Sequence, residues 1–116
     1  MINNRFEDLL VWQKSRIIVN ECYKVFKNTK DFSFKDQILR AAVSIMNNIA
    51  EGFERKGDKE FRKFLFITKG SCGEVRSMLY LGLDLGYIDD KIFEDIYNKS
   101  EEISRMLSGL INKMIT

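Results

Sequence analysis

No proline occurs anywhere in the 116-residue chain. That constrains the fold more than any other feature, because proline is the residue that removes a helix hydrogen bond and clashes with the preceding turn. The seven glycines lie between positions 52 and 86, apart from Gly109, so long helices meet few internal breakers. The stretch Arg40 to Arg55, RAAVSIMNNIAEGFER, shows what such helices are made of. Ala42, Ile45, Ile49 and Phe53 fall on one line, and Leu39, Val43, Met46 and Ala50 on the next, giving an apolar arc wide enough for two neighbours. Arg40, Ser44, Asn47, Asn48, Glu51 and Arg55 form a continuous polar strip opposite.

Four such segments cover the chain. The first runs from Phe6 to about Asn28, with Val11, Ser15, Ile18, Cys22 and Val25 on its core line and Trp12, Val19, Tyr23 and Phe26 beside it. Arg5 to Asp8 reads as a lead-in, and Lys14, Glu21, Lys24 and Lys27 occupy the far side. Ser33 with Asp36 resembles an N-cap pair, starting a second helix from Phe34 to Arg55 that Gly57 ends. Asp58 then caps a third helix, to about Leu85, whose core line is Phe61, Leu65, Thr68, Cys72, Val75, Leu79 and Gly82, with Phe64, Ser71, Met78 and Leu85 adjacent. Gly70, Ser71, Cys72 and Gly73 are four small residues in a row, which predicts close approach by another helix. Gly86 gives a left-handed stop with Tyr87 folding back over Leu81, and Asp89 caps a fourth helix, stapled by Ile88 and Phe93, that continues to the last residues. The linkers are only a few residues long, so consecutive helices, each of about 22–27 residues, must run antiparallel. The expected fold is all-α: one domain, an up-down-up-down four-helix bundle.

The net charge of +2 predicts no partner, but its distribution is uneven: +5 over residues 1–83 and −3 over residues 84–116. Cys22 and Cys72 lie on apolar faces, far apart in sequence, and fit buried free thiols of a reducing cytoplasm better than a disulfide. No apolar run approaches the roughly 20 residues of a membrane span, and MINNRFEDLL lacks the layout of a signal peptide. A cytoplasmic location without membrane contact is expected.

Enzymatic chemistry is disfavoured. With no histidine, the usual base for a Ser or Cys nucleophile is missing, as are the Glu-x-x-His pairs of di-iron bundles. Glu51 and Glu54 share a turn but read as a solvated or salt-bridged face, and Gly70 to Gly73 lies within a helix whose N–H groups are already used. Neither a catalytic residue, a cofactor nor a metal is expected. The basic set Arg55, Lys56, Lys59, Arg62, Lys63 and Lys69 is more informative, being countered locally only by Asp58 and Glu60. Repeated around an oligomer, it could hold a phosphate backbone with salt-sensitive affinity; alone it reads equally well as a solvated face. Phe64, Phe66 and Tyr80 read as packing, the last two at a subunit interface, ahead of base stacking. Asn47, Asn48 and Glu51 read as a clamp to Arg40 or a neighbouring helix.

The runs FEDLLVWQKS (6–15), QILRAAVSIMNNIAEG (37–52), EFRKFLFITKGSCGEV (60–75) and LDLGYID (83–89) resemble the 23S rRNA intervening-sequence protein family. The segment Ser44 to Gly52 is the most specific part, and Lys69 departs from the small residue or arginine expected there. The resemblance implies an antiparallel four-helix bundle assembled as a homopentamer around a central opening. It also implies a link to RNA, through genes placed within inserted segments of large-subunit rRNA genes. Related bundles are accessory proteins of the reverse transcriptases of diversity-generating retroelements and bind nucleic acid and enzyme. Together these features predict a nucleic-acid-associated accessory protein contacting RNA or DNA through Arg55, Lys56, Lys59, Arg62 and Lys63, or else a scaffold docking a reverse-transcriptase-type protein.

Overall fold

A computed structural model describes residues 4–55 and 57–114. A 3-10 turn at Phe6–Asp8 leads into α1 (Leu10–Val25), followed by α2 (Phe32–Glu54), α3 (Asp58–Asp84) and α4 (Asp90–Lys113). Each helix packs on two others in the cyclic order α1, α2, α3, α4, which sets α1 diagonally opposite α3. Lys14 meets Glu102 and Glu21 meets Lys99; Lys69 meets Ser108 and Arg76 meets Ser100. Partner numbers fall as chain numbers rise, so α4 runs antiparallel to both α1 and α3. The result is an antiparallel four-helix bundle, a rod of 45 × 21 × 19 Å.

The core follows the sequence periodicity. Val11, Ile18 and Cys22 of α1, Ile38, Ala42, Ile45 and Ile49 of α2, Leu65, Cys72, Val75 and Leu79 of α3, and Ile96, Ile103 and Leu107 of α4 are all buried. Each Val, Leu or Ile among them contributes about 1.5–3 kcal/mol by leaving water. Trp12, Val25, Phe61 and Met78 close the core's margin, whereas Tyr23 and Leu85, expected beside it, are about half exposed.

The helix ends show where local signals sufficed and where they did not. Asp89 caps α4 as expected, its carboxylate accepting from the Ile92 N–H at 2.9 Å. Gly86 (φ +75°) ends α3, with the Tyr87 N–H bonded to the Gly82 carbonyl and the Gly86 N–H to that of Leu83, a Schellman stop. Tyr87 turns its ring edge-on to Phe34 and donates its hydroxyl to Asp31 at 2.7 Å, while Leu81 is left exposed. At the start of α2 the expectation is corrected: Asp31, not Ser33, is the cap, accepting from the Phe34 N–H at 3.1 Å. Asp36 instead pairs with Arg40 at 2.8 Å. Before α3, Gly57 (φ +92°) is the cap residue, and Asp58 is the first helical residue, where its charge favours the helix's positive end. The helix α1 is also shorter than expected, 16 residues, because the chain breaks at Leu9 and stops at Phe26.

The small residues of α3 divide in two. Ser71 and Cys72 are buried, Ser71 sharing a 2.8 Å hydrogen bond with Ser44 of α2, whereas Gly70 has no atom within 4 Å of where a Cβ would stand and Gly73 only the tip of Arg76. No helix of the subunit approaches them. The close approach is at Gly52, where a Cβ would fall 2.5 Å from the Cβ of Phe64, and at Gly82, 3.1 Å from the ring of Phe34. Gly52 is what lets α2 lie against Phe61 and Phe64 of α3.

Candidate nucleic-acid interface

The corner between α2 and α3 carries the basic cluster. Arg55 ion-pairs with Glu51 at 3.0 Å and lies 4.0 Å from Glu60, with its guanidinium over the Phe64 ring at 5.1 Å. Lys63 pairs with Glu60 at 3.3 Å. Lys59 is exposed and forms no ion pair among the described residues, and Lys56 lies outside them. Half-exposed pairs of this kind are worth well under about 1 kcal/mol, but two carboxylates, Glu51 and Glu60, offset the charge that Arg55 and Lys63 offer outward.

Arg62 differs from its neighbours. Its guanidinium lies over Phe66 at 5.2 Å, its Nε is buried without an acceptor, and no carboxylate among the described residues stands within ion-pair distance. One and two heptads further on, Lys69 and Arg76 repeat the situation in the seam between α3 and α4. Lys69 donates to the Ser108 hydroxyl at 2.8 Å, and Arg76 to Ser100 and Ser104 at 3.2 and 2.9 Å, with its guanidinium 6.0 Å from the centre of the Tyr97 ring. Hydroxyls are neutral, so both cations are held in place with their charge intact. Burial pushes the Cys72 thiol up, while hydrogen bonding by Ser104 and the positive charge of Arg76 and Lys69 pull against that rise. Burial, and after it the negative charge of Glu21 alongside, pushes the Cys22 thiol up to about 12. Both thiols are free and buried, which keeps them protonated and poor nucleophiles.

Aromatic rings bracket the seam. Tyr80 stands edge-on to Phe93 and Tyr97, with centroids 4.9 and 5.7 Å apart, yet it remains 52% exposed; Phe66 at the other end is 49% exposed. Phe64 by contrast packs between helices. A second apolar face lies on α1, where Leu10 and Ile17 are exposed; Tyr23, also exposed, lies on the other flank of the helix beside Leu39 and Val43 of α2. On the Ile17 side an open groove of about 460 Å³ runs past Trp12, Arg16, Ile17 and Asn20, and the buried Trp12 Nε1 has no acceptor.

The clamp expected of Asn47, Asn48 and Glu51 takes another form. Asn48 donates to the Ser44 hydroxyl and carbonyl, and through Ser44 reaches Ser71 of α3; Glu51 holds Arg55, Arg40 holds Asp36, and Asn47 is exposed. Among the described residues no group of three or more His, Cys, Asp or Glu side chains is placed to hold a metal ion, and no helix is long and apolar enough to cross a membrane.

Fold and site together define an antiparallel four-helix bundle with a cationic edge along one helix. The chain belongs to the 23S rRNA-intervening sequence protein family, whose model matches residues 7–109. A crystal structure of a protein of unknown function from the S23 ribosomal protein family of Bacteroides thetaiotaomicron is similar, at 30% identity and a TM-score of 0.82, covering 88% of this chain and 98% of that one. No curated protein matches the sequence. Neither match is to a known enzyme family.

Proposed function

We propose that this bundle is a non-enzymatic, cytoplasmic nucleic-acid-binding accessory protein that works as a homo-oligomer, pentameric as the family resemblance implies. The observation that carries the reading is the set of cations along α3 that no carboxylate among the described residues neutralises, beginning with Lys59 and Arg62 at the α2–α3 corner. Contacts of this type track phosphates without reading base edges, so binding is salt-sensitive and weakly selective. Symmetric assembly multiplies the cationic edge, and the exposed Leu10 and Ile17 of α1 leave apolar surface for contact between copies away from that edge. Filter binding to RNA and DNA at two salt concentrations tests it: retention at low salt that falls at high salt is expected, and no retention at low salt removes the reading.

The α1 groove favours a second reading, a scaffold that docks an enzyme such as a reverse transcriptase without touching nucleic acid. Trp12 and Ile17 supply the apolar anchors such a contact needs. Pull-down with and without nuclease separates the two, because a nucleic-acid bridge is lost on digestion and a direct protein contact survives.

A further inference from the structure

The α2–α3 corner is only one end of the cationic edge. Arg62, Lys69 and Arg76 recur every seven residues on α3, so their Cα atoms are spaced about 10.5 Å apart along nearly one line. On a helical projection of about 100° per residue, Phe66, Gly70, Gly73, Ser77 and Tyr80 fall within the same arc or at its margin. Between residues 61 and 80 α3 carries one carboxylate, Glu74, against Arg62, Lys63, Lys69 and Arg76. Across the seam, α4 answers Lys69 and Arg76 with serine hydroxyls, its nearest acids being Glu101, beside Tyr97, and Glu102, which is turned away to Lys14. Gly70 and Gly73 leave the middle of this face without a side chain.

We propose that the α3–α4 seam is a binding track for single-stranded nucleic acid, in which Arg62, Lys69 and Arg76 hold phosphates and the exposed rings of Phe66 and Tyr80 stack bases at either end. This rests on the nucleic-acid reading above and gives it a site. Each cation keeps N–H donors beyond those its serine or ring partner uses, so a phosphate adds contacts without breaking the existing ones. The glycines let a backbone lie directly on the helix surface, between two rings about 21 Å apart along the axis. A paired duplex keeps its bases stacked inside and offers nothing to the rings, which is why the track selects single strands. An acidic protein partner would use the cations but leave both rings without a role.

The test is fluorescence anisotropy with a labelled oligo(dT) and oligo(rU) of about twelve nucleotides and a duplex of the same length, at low salt. Wild type is compared with Lys69→Gln/Arg76→Gln, with Phe66→Ala, and with the corner variant Lys59→Gln/Lys63→Gln. Solution mass and helical circular dichroism are measured on each. Glutamine can still donate to the serines, and Phe66 is half exposed, so both changes at the seam leave the bundle folded. The seam double variant and Phe66→Ala each weaken single-strand binding about tenfold with mass unchanged, and the corner variant, which removes the unpaired Lys59 and a Lys63 already paired with Glu60, weakens it about two- to threefold. If wild type binds, the corner variant loses affinity and the seam variants do not, the track is wrong while the nucleic-acid reading stands. If wild type binds nothing at low salt, both fall. A seam variant that changes the solution mass makes this face a contact between copies, and a duplex bound as tightly as the single strands removes the stacking role; either result overturns the proposal.

Discussion

The α2–α3 and α1–α4 interfaces are built on different physical principles. Between α2 and α3 the helices touch backbone to side chain: Gly52 lies under Phe61 and Phe64, Gly82 under Phe34, and Ser44 and Ser71 share a partly buried hydrogen bond. Between α1 and α4 the apolar core is flanked by partly exposed ion pairs, Lys14 with Glu102 and Lys99 with Glu21, Lys99 being shared with Asp95 of its own helix. The first interface depends on shape and tolerates no added volume; the second depends on charge that water and salt can replace. That leaves α2 and α3 as the more closely packed pair, and α3 carries the cationic edge.

The largest effect is expected at Gly52. Gly52→Val drives its branches into Phe64 and should lower stability by about 3 kcal/mol, seen as a shifted urea midpoint. A change below about 0.5 kcal/mol would mean that α2 and α3 do not rest on each other there. Gly70→Ala is the contrasting substitution on the same helix. Its Cβ meets nothing within 4 Å, so the gain in helix propensity should raise stability by about 0.5–1 kcal/mol with no change of mass; a loss would place a partner on that face.

On the α1–α4 side, Lys99→Ala removes a cation that Glu21 and Asp95 share at a site only about one-third exposed. The expected cost is about 0.5 kcal/mol at low salt, vanishing in about 1 M salt. A loss of several kcal/mol that salt does not touch would make this interface as shape-dependent as the other. A smaller effect separates the two ends of the rod. The Tyr87 hydroxyl, and next the Phe34 N–H, hold the Asp31 carboxyl below its ordinary 3.8. A lowered folded-state value means stability that is present above pH 3.8 and lost as pH falls through the lowered value. Tyr87→Phe removes the larger cause, so its melting temperature should fall less steeply with acid than that of wild type. Parallel pH profiles would contradict the assignment.

What the sequence disclosed was whatever depends on neighbours within a turn or two. The four apolar lines, the Asp89 cap and the Gly86 stop are local, and each stands where the spacing puts it. Asp31 and Ser33 are both plausible caps two residues apart, and the contact that favours Asp31 comes from Tyr87, 56 residues away. Which glycine meets another helix is likewise a matter of rotation about the helix axis. Gly52 continues the buried line Ile45, Ile49 at helical spacing, a signal that the more conspicuous pair Gly70 and Gly73 hid. At the candidate site the sequence supplied the cluster around residue 60, but the pairing of Arg55 and Lys63 with Glu51 and Glu60 reduces its outward charge. The spacing of Arg62, Lys69 and Arg76 by sevens is a signal that the denser cluster around residue 60 hid, and that serines rather than carboxylates face the last two across the seam is not legible in sequence at all.

The most direct test of a cationic edge that carries function is the salt dependence of oligonucleotide binding by the wild-type protein. Three phosphate contacts per strand predict that log K falls against log salt with a slope of about −2, steeper if neighbouring copies contribute. Affinity that stays flat across the salt range, or no binding at the lowest salt, would contradict it.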